Sequence, residues 1–165
     1  GSWPYGTLSF HKWVDNFHTG FNLEALMSFQ LDTGEDCFRA VLPPGAAYSL
    51  DNFFTEEGVP KYFDNKLYPI DIHCVAQLII TLSKLGMFHD KRPLIDKVLK
   101  WTILNMQDKE GFFYYQLRKY FSNKIPYMRW AQAWMFYAMS EYLLCSDNGL
   151  NALKTRKLFV AKNAN

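Results

Sequence analysis

The side chains best equipped for chemistry gather in three short stretches of this chain. They are Asn16-Phe17-His18-Thr19-Gly20-Phe21-Asn22-Leu23-Glu24, then Tyr68-Pro69-Ile70-Asp71-Ile72-His73 with Gln77 after it, then Pro126-Tyr127-Met128-Arg129-Trp130 with Gln132 after it. His18 and His73 are of the type that moves a proton near neutral pH. Asp71 and Glu24 are carboxylates that could serve as an acid and base pair. Arg129 is expected to be buried, so it needs Glu24, Asp71 or an anionic ligand as partner. Plainer roles stand beside these. Asp71, and Thr19 or Asn22, suit helix N-caps. Glu24, Gln77 and Gln132 suit core groups bonded to neighbouring backbone, and either histidine suits a satisfied structural position. A metal held by His18, Asp71 and His73 matches no recognised ligand spacing, and neither a metal nor another cofactor is expected. The chain has no GxSxG, Gly-rich phosphate loop, HExxH or CxxC motif, so serine-hydrolase, nucleotide and zinc-protease readings have no support.

Each stretch opens an apolar segment, over 21–31, 72–85 and 128–144, that is hydrophobic nearly all round. A helix apolar on every side is buried on every side, so these read as inner helices. Between them, Pro93 to Met106 places Leu94, Ile95, Val98, Leu99, Trp101, Thr102 and Met106 on one face, the pattern of an outer amphipathic helix. Pro43-Pro44-Gly45 is expected to break the region 35–54 into a short helix and a second one over 46–54. The segment 147–159 has a weaker pattern and reads as a loosely held outer helix or a partly frayed one.

An internal repeat supports this alternation. Asn52-Phe-Phe-Thr-Glu-Glu-Gly58-Val-Pro-Lys-Tyr62 aligns with Asn105-Met-Gln-Asp-Lys-Glu-Gly111-Phe-Phe-Tyr-Tyr115 at an offset of 53 residues, and Glu24 precedes Gln77 by the same interval. Gln132 follows Gln77 by 55. A period near 50 signals stacked supersecondary units. The expected fold is all-α, an α/α toroid or an arc of one, in a single domain over 3–160. It has about three helical hairpins and a short β-hairpin near 112–125. A linear helical solenoid is the competing architecture. In a toroid the inner-helix N-termini point to one end. The candidate catalytic residues His18, Asp71, His73 and Arg129 would then converge in a funnel. Asn22, Glu24, Gln77 and Gln132 would bind hydroxyl groups, and Tyr62, Tyr68, Tyr115, Tyr127 and Trp130 would stack on sugar rings.

The composition fits such a rim. Of 165 residues, 14 are Phe, 10 Tyr and 5 Trp, more rings than a core of this size needs. Trp130, Trp134, Phe136 and Tyr137 are expected to fill the inner layer and the rest to cluster in the two repeat-related loops. A net charge of +2 gives no electrostatic reason for nucleic acid or an anionic membrane as partner. No apolar run approaches the ~18–20 residues of a membrane span. Cys37, Cys74 and Cys145 read as buried free thiols, which fits a reducing, cytoplasmic compartment. Gly1-Ser2 has the look of a cloning remnant, and the chain reads as a piece of a longer protein.

Trp13-Val-Asp-Asn-Phe-His-Thr-Gly-Phe-Asn-Leu-Glu24, Tyr68-Pro-Ile-Asp-Ile-His73 and Ile125-Pro-Tyr-Met-Arg-Trp-Ala-Gln-Ala-Trp134 resemble the C-terminal part of bacterial six-hairpin α/α toroid proteins. These are uncharacterised members of the superfamily of glycoside hydrolases, polysaccharide lyases and sugar epimerases. The resemblance covers most of residues 3–145. It implies a sugar or polysaccharide ligand, with about half of the toroid supplied by missing N-terminal sequence or by a second subunit. Some similar chains carry the label δ-aminolevulinic acid dehydratase. Such enzymes resemble β/α barrels, and no alternation of strands and helices is read here. Hydrolysis would use Asp71 with Glu24. Elimination or epimerisation would use His18 or His73 as base, with Arg129 on a uronate. The other expectation, from a different class, is a non-catalytic helical module for protein interaction or for completing a larger enzyme.

Overall fold

Helix α3 (Ile72–Lys84) is the centre of the molecule, because every residue from Ile72 to Leu82 is buried. The computed structural model describes residues 1–146. It is mostly helical, with α1 (Asn16–Thr33) and α2 (Leu42–Asn52) before α3, and α4 (Arg92–Met106) and α5 (Ala133–Ser146) after it. A turn of π-helix, Met128–Gln132, leads into α5. Helices α1 and α5 both pack on α3, while α2 packs on α1 and α4 on α3. His73, near the start of α3, touches Phe17 of α1 and Trp134 of α5. Ser83, near its end, donates to Glu141 of α5 at 2.9 Å, and Lys84 pairs with Glu24 further along α1. The three helices therefore run in the same direction, with their N-termini at one end.

The outer helices follow from their prolines. Pro93 lies in the first turn of α4, whose buried face is Ile95, Val98, Leu99, Thr102 and Met106. Pro43 and Pro44 likewise start α2 rather than breaking a helix, since a proline's missing N–H costs nothing in a first turn. The short helix expected before them is a series of turns. The expected hairpin is present as β2 (Gln116–Leu117) and β3 (Ser122–Asn123), paired antiparallel. A strand not foreseen, β1 (Ile70–Asp71), pairs with β2 and sets Asp71 opposite Gln116.

The repeat is visible in the hydrogen bonding. Bridges Phe54–Pro60 and Gln107–Phe113 occupy equivalent positions in the two aromatic loops. The Thr55 amide donates to Val59 and the Asp108 amide to Phe112 at 3.0 and 2.8 Å, and Lys61 donates to Phe53 as Tyr114 does to Met106. Gly58 and Gly111 make equivalent turns at φ of 86° and 96°, where a side chain would be strained.

All-round burial holds for α3 alone. Helix α1 exposes Phe29 and Leu31 in its second half. Helix α5 buries Met135 and Ala138 but turns Phe136, Tyr137, Leu143 and Leu144 to the opposite side, with Phe136 77% exposed. The expectation that Trp130, Phe136 and Tyr137 fill the inner layer is therefore corrected, and only Trp134 packs on the core. The expectation of three buried thiols is corrected too: Cys74 is buried, Cys145 half-buried and Cys37 exposed. The segment 147–159 lies outside the described residues. No helix among the described residues is long and apolar enough to cross a membrane.

Candidate functional site

Two of the three co-directional helix ends are built the same way. Asp15 caps α1, its Oδ1 accepting the His18 amide at 2.8 Å, and Asp71 caps α3, its Oδ1 accepting the His73 amide at 2.9 Å. The first amide of each helix is held by the tyrosine carbonyl of its aromatic loop. Asn16 donates to Tyr62 at 2.9 Å and Ile72 donates to Tyr115 at 3.1 Å. Each end thus brings together a buried aspartate, a histidine and a repeat-equivalent tyrosine. Thr19 and Asn22 are not caps. Thr19 donates its hydroxyl to the Asp15 carbonyl at 2.6 Å, and Asn22 is half-buried on α1.

At the α1 end, Asp15 Oδ2 lies 2.8 Å from His18 Nδ1. The Asp15 side chain is sealed from solvent while that of His18 is 38% exposed. An ionised carboxylate can only accept, so in the neutral ring the His18 proton sits on Nδ1 and the lone pair on Nε2. Aromatic rings surround the imidazole. Tyr5 and Trp13 meet it edge-on at 4.9 and 6.1 Å, and Phe17 is tilted against it at 4.2 Å. Tyr5 and Trp13 stack on each other at 4.2 Å, and Phe63 meets Trp13 edge-on.

At the α3 end, both Asp71 oxygens are engaged, one by the His73 amide and one by Gln116 Nε2 at 2.9 Å. Arg118 in turn donates to Gln116 Oε1 at 2.8 Å. Burial pushes the Asp71 carboxyl above its usual range, against the pull of those hydrogen bonds and of Tyr115 and Arg118. His73 is only 7% exposed, stacked on Trp134 at 4.4 Å and flanked by Phe17 and Phe21. Burial drives its pKa down to about 4, so the ring is neutral at pH 7. Tyr62 is half-buried beside Phe63, and burial raises its phenol well above the ordinary value.

Glu24 lies deeper, under the helix ends, where Gln77 Nε2 and Thr81 Oγ1 both donate to its Oε1 and Lys84 pairs with Oε2 at 3.3 Å. It shares no hydrogen-bond partner with Asp71 among the described residues. Gln132 also has a structural post: its amide clasps the backbone of Phe113, accepting at 3.0 Å and donating at 2.6 Å. Arg129 is exposed, contrary to expectation, and makes no ion pair among the described residues. Beside it in sequence are Tyr127 and Trp130, 59% exposed, and Tyr127 meets Tyr115 edge-on at 5.1 Å. Tyr68 is exposed just before β1.

A cavity of about 10 Å³ between α1, α2 and α3, lined by Asn16, Gly20, Gln77 and Thr81 among others, holds one water at most. No group of three or more His, Cys, Asp or Glu among the described residues is placed to hold a metal ion. Sequence reasoning missed Asp15, Tyr5, Trp13 and Phe63. The first had a signal, an aspartate three before His18 just as Asp71 stands two before His73. Comparisons with protein-family models, with curated proteins and with solved structures returned no match.

Proposed function

We propose that the chain is a carbohydrate-active domain that binds an acidic polysaccharide across the end of the molecule where α1, α3 and α5 begin. In this reading those helices are consecutive inner helices of an α/α toroid or an arc of one, with α2 and α4 outside. The supporting observation is the twice-built helix end, Asp15–His18–Tyr62 and Asp71–His73–Tyr115, set among half-buried and exposed aromatic rings. Flat rings with polar edges suit sugar faces. The exposed Arg129 guanidinium offers a fork of donors to a uronate carboxylate.

The chemistry that fits is proton abstraction rather than two-carboxylate hydrolysis. Glu24 and Asp71 are already engaged. His18 is backed by Asp15 and presents Nε2 outward, the arrangement in which a carboxylate holds an imidazole for use as a base. It would take the proton next to the uronate carboxylate. The electron pair then expels the leaving group in an elimination, or accepts a proton on the other face in an epimerisation. The test is a screen of neutral and uronate glycans against the chain and its His18→Ala and Arg129→Ala variants. Uronate binding weakened at least tenfold by Arg129→Ala supports the reading; equal binding by all three refutes it.

A second reading is a module that completes a larger assembly. It is favoured by the apolar side of α5, where Phe136, Tyr137, Leu143 and Leu144 lie opposite the face packed on α3.

A further inference from the structure

The charges of this chain nearly balance, but they are not evenly spread. Between Glu110 and Glu141 the sequence holds no Asp or Glu, while Arg118, Lys119, Lys124 and Arg129 all fall there. Four cations exceed the net charge of +2, so the remainder of the chain is slightly acidic. The fold then turns this stretch outward. From Arg118 to Trp130 every residue except Asn123 is exposed, and Tyr120 at the hairpin tip is 85% exposed. Surface cations elsewhere find acids, as Arg39 finds Asp36 and Arg92 finds Asp96. None of these four makes an ion pair among the described residues.

The exposed arm is held firmly at its base. β2 pairs with β1, and buried Gln116 donates to Asp71 at 2.9 Å while accepting from Arg118 Nε at 2.8 Å. The Arg118 amide closes the tip on the Phe121 carbonyl at 2.8 Å. Each cation of the hairpin rests over a ring: Arg118 over Phe121, Lys119 over Tyr120 and Lys124 over Tyr114, at 5.6, 5.1 and 4.7 Å from the centroids. Such contacts restrain long side chains that would otherwise wander. The arm is thus joined to the capped end of α3, and Tyr127 ties it through Tyr115 to the start of α5. Cations held in place beforehand lose less freedom when they meet an anion.

We propose that the arm 116–130 grips consecutive acidic sugars of one polymer, so that the ligand is a polyuronate rather than a neutral chain with a single uronate. Lys119 and Lys124 pair with carboxylates beyond the one at Arg129, and Tyr127 and Trp130 lie against sugar faces. The inference rests on the acidic-polysaccharide reading of the helix ends and adds the length and charge of the ligand. A membrane fits less well, because a tip carrying Arg118 and Lys119 would have to bury its charges first. A single-stranded nucleic acid is held in a basic groove with ring faces open to its bases. Here the rings of Tyr120 and Phe121 project from the surface, and each carries a cation over its face.

The test is calorimetric titration of digalacturonate and octagalacturonate into the chain and into the double variant Lys119→Gln with Lys124→Gln. The wild type should bind the octamer at least about fiftyfold tighter than the dimer, more than the overlapping registers of a longer sugar supply. In the double variant that ratio should fall below about tenfold. Removing the same charge at and within α4, by Lys91→Gln with Lys100→Gln, should leave the ratio as in the wild type. Raising the salt from about 0.05 to 0.2 M should weaken the octamer more than the dimer. An unchanged ratio in the Lys119 and Lys124 variant, or an equal fall in the α4 control, overturns the arm. Digalacturonate binding that Arg129→Ala still weakens then shows that the acidic-sugar site stands without it. If neither uronate binds the wild type, the acidic-polysaccharide reading fails and the proposed ligand of the arm fails with it. Phosphatidylserine vesicles or an oligothymidylate binding more tightly than octagalacturonate, through the same two lysines, would overturn the sugar as occupant.

Discussion

Replacing Gly20 with alanine adds one carbon where α1 and α3 touch, and the sign of its effect tests the account of the buried polar chain. In an ordinary helix interior the change stabilises by about 1 kcal/mol, because glycine gives up more backbone freedom on folding. Here the new Cβ would lie 2.7 Å from Gln77 Nε2 and 2.8 Å from its Cδ, and closer still to Cγ. These atoms are the buried stem and head of a residue held by Glu24 and Thr81, not a side-chain tip in solvent. Relieving the overlap costs about 1–3 kcal/mol in packing. Moving Gln77 off Glu24 removes a charge-assisted hydrogen bond worth about 1.5–3 kcal/mol. Part of each cost is saved by relaxation, so the net expectation is a loss of about 2 kcal/mol. In urea denaturation that is a fall in midpoint of roughly 1 M for a slope near 2 kcal/mol/M. The control is a double-mutant cycle with Gln77→Ala, in which Gly20→Ala should become neutral or stabilising and the coupling should reach about 2–3 kcal/mol. A Gly20→Ala variant as stable as the wild type, or one whose cost survives in the Gln77→Ala background, would refute the reasoning.

Three further outcomes are expected. His73 has its pKa lowered from 6.5 to about 4, so the folded chain binds fewer protons than the unfolded one. Its contribution is complete above about pH 6.5 and falls by about 3 kcal/mol as the pH drops to 4. His73→Phe, which keeps a ring against Trp134, should flatten that part of the stability–pH curve in urea titrations. Trp130→Ala and Arg129→Ala change exposed side chains and should alter stability by less than about 0.5 kcal/mol, while each lowers uronate-glycan affinity measured by calorimetry. Phe136→Glu with Leu143→Lys should leave the melting temperature within a few degrees but reduce self-association in light scattering; unchanged association would count against α5 as a docking face.

How far the sequence carried the reading depends on whether the signal was local. The α4 helix, the 116–123 hairpin and the 53-residue repeat were legible because each is written in periodicity, proline placement or glycine turns. The N-cap role of Asp71 was legible for the same reason. What escaped was partner choice across space. Hydrophobicity marks 128–144 as apolar all round but cannot say which side another element covers, so exposed Phe136 and buried Met135 looked alike. Arg129 was placed inside by its apolar neighbours, yet the π-helical turn carries it outward. Glu24 and Asp71 looked like a catalytic pair from residue type alone, whereas Gln77, Thr81, Lys84 and Gln116 claim them in the fold.

The central place of α3 has a dynamic consequence. Helices α1 and α5 each lean on it from one side, so neither can keep its packed face once α3 melts, whereas α3 retains a wall if either neighbour frays. Its amides should exchange with solvent only through global unfolding, and those of α1 and α5 through cheaper local openings. Both histidine-bearing helix ends meet on that slow-exchanging element, His73 directly and His18 through Phe17. Under the proposed function, a ligand that tightened one end would be felt at the other through that shared element, and the two ends would act as one rigid jaw rather than two independent fingers.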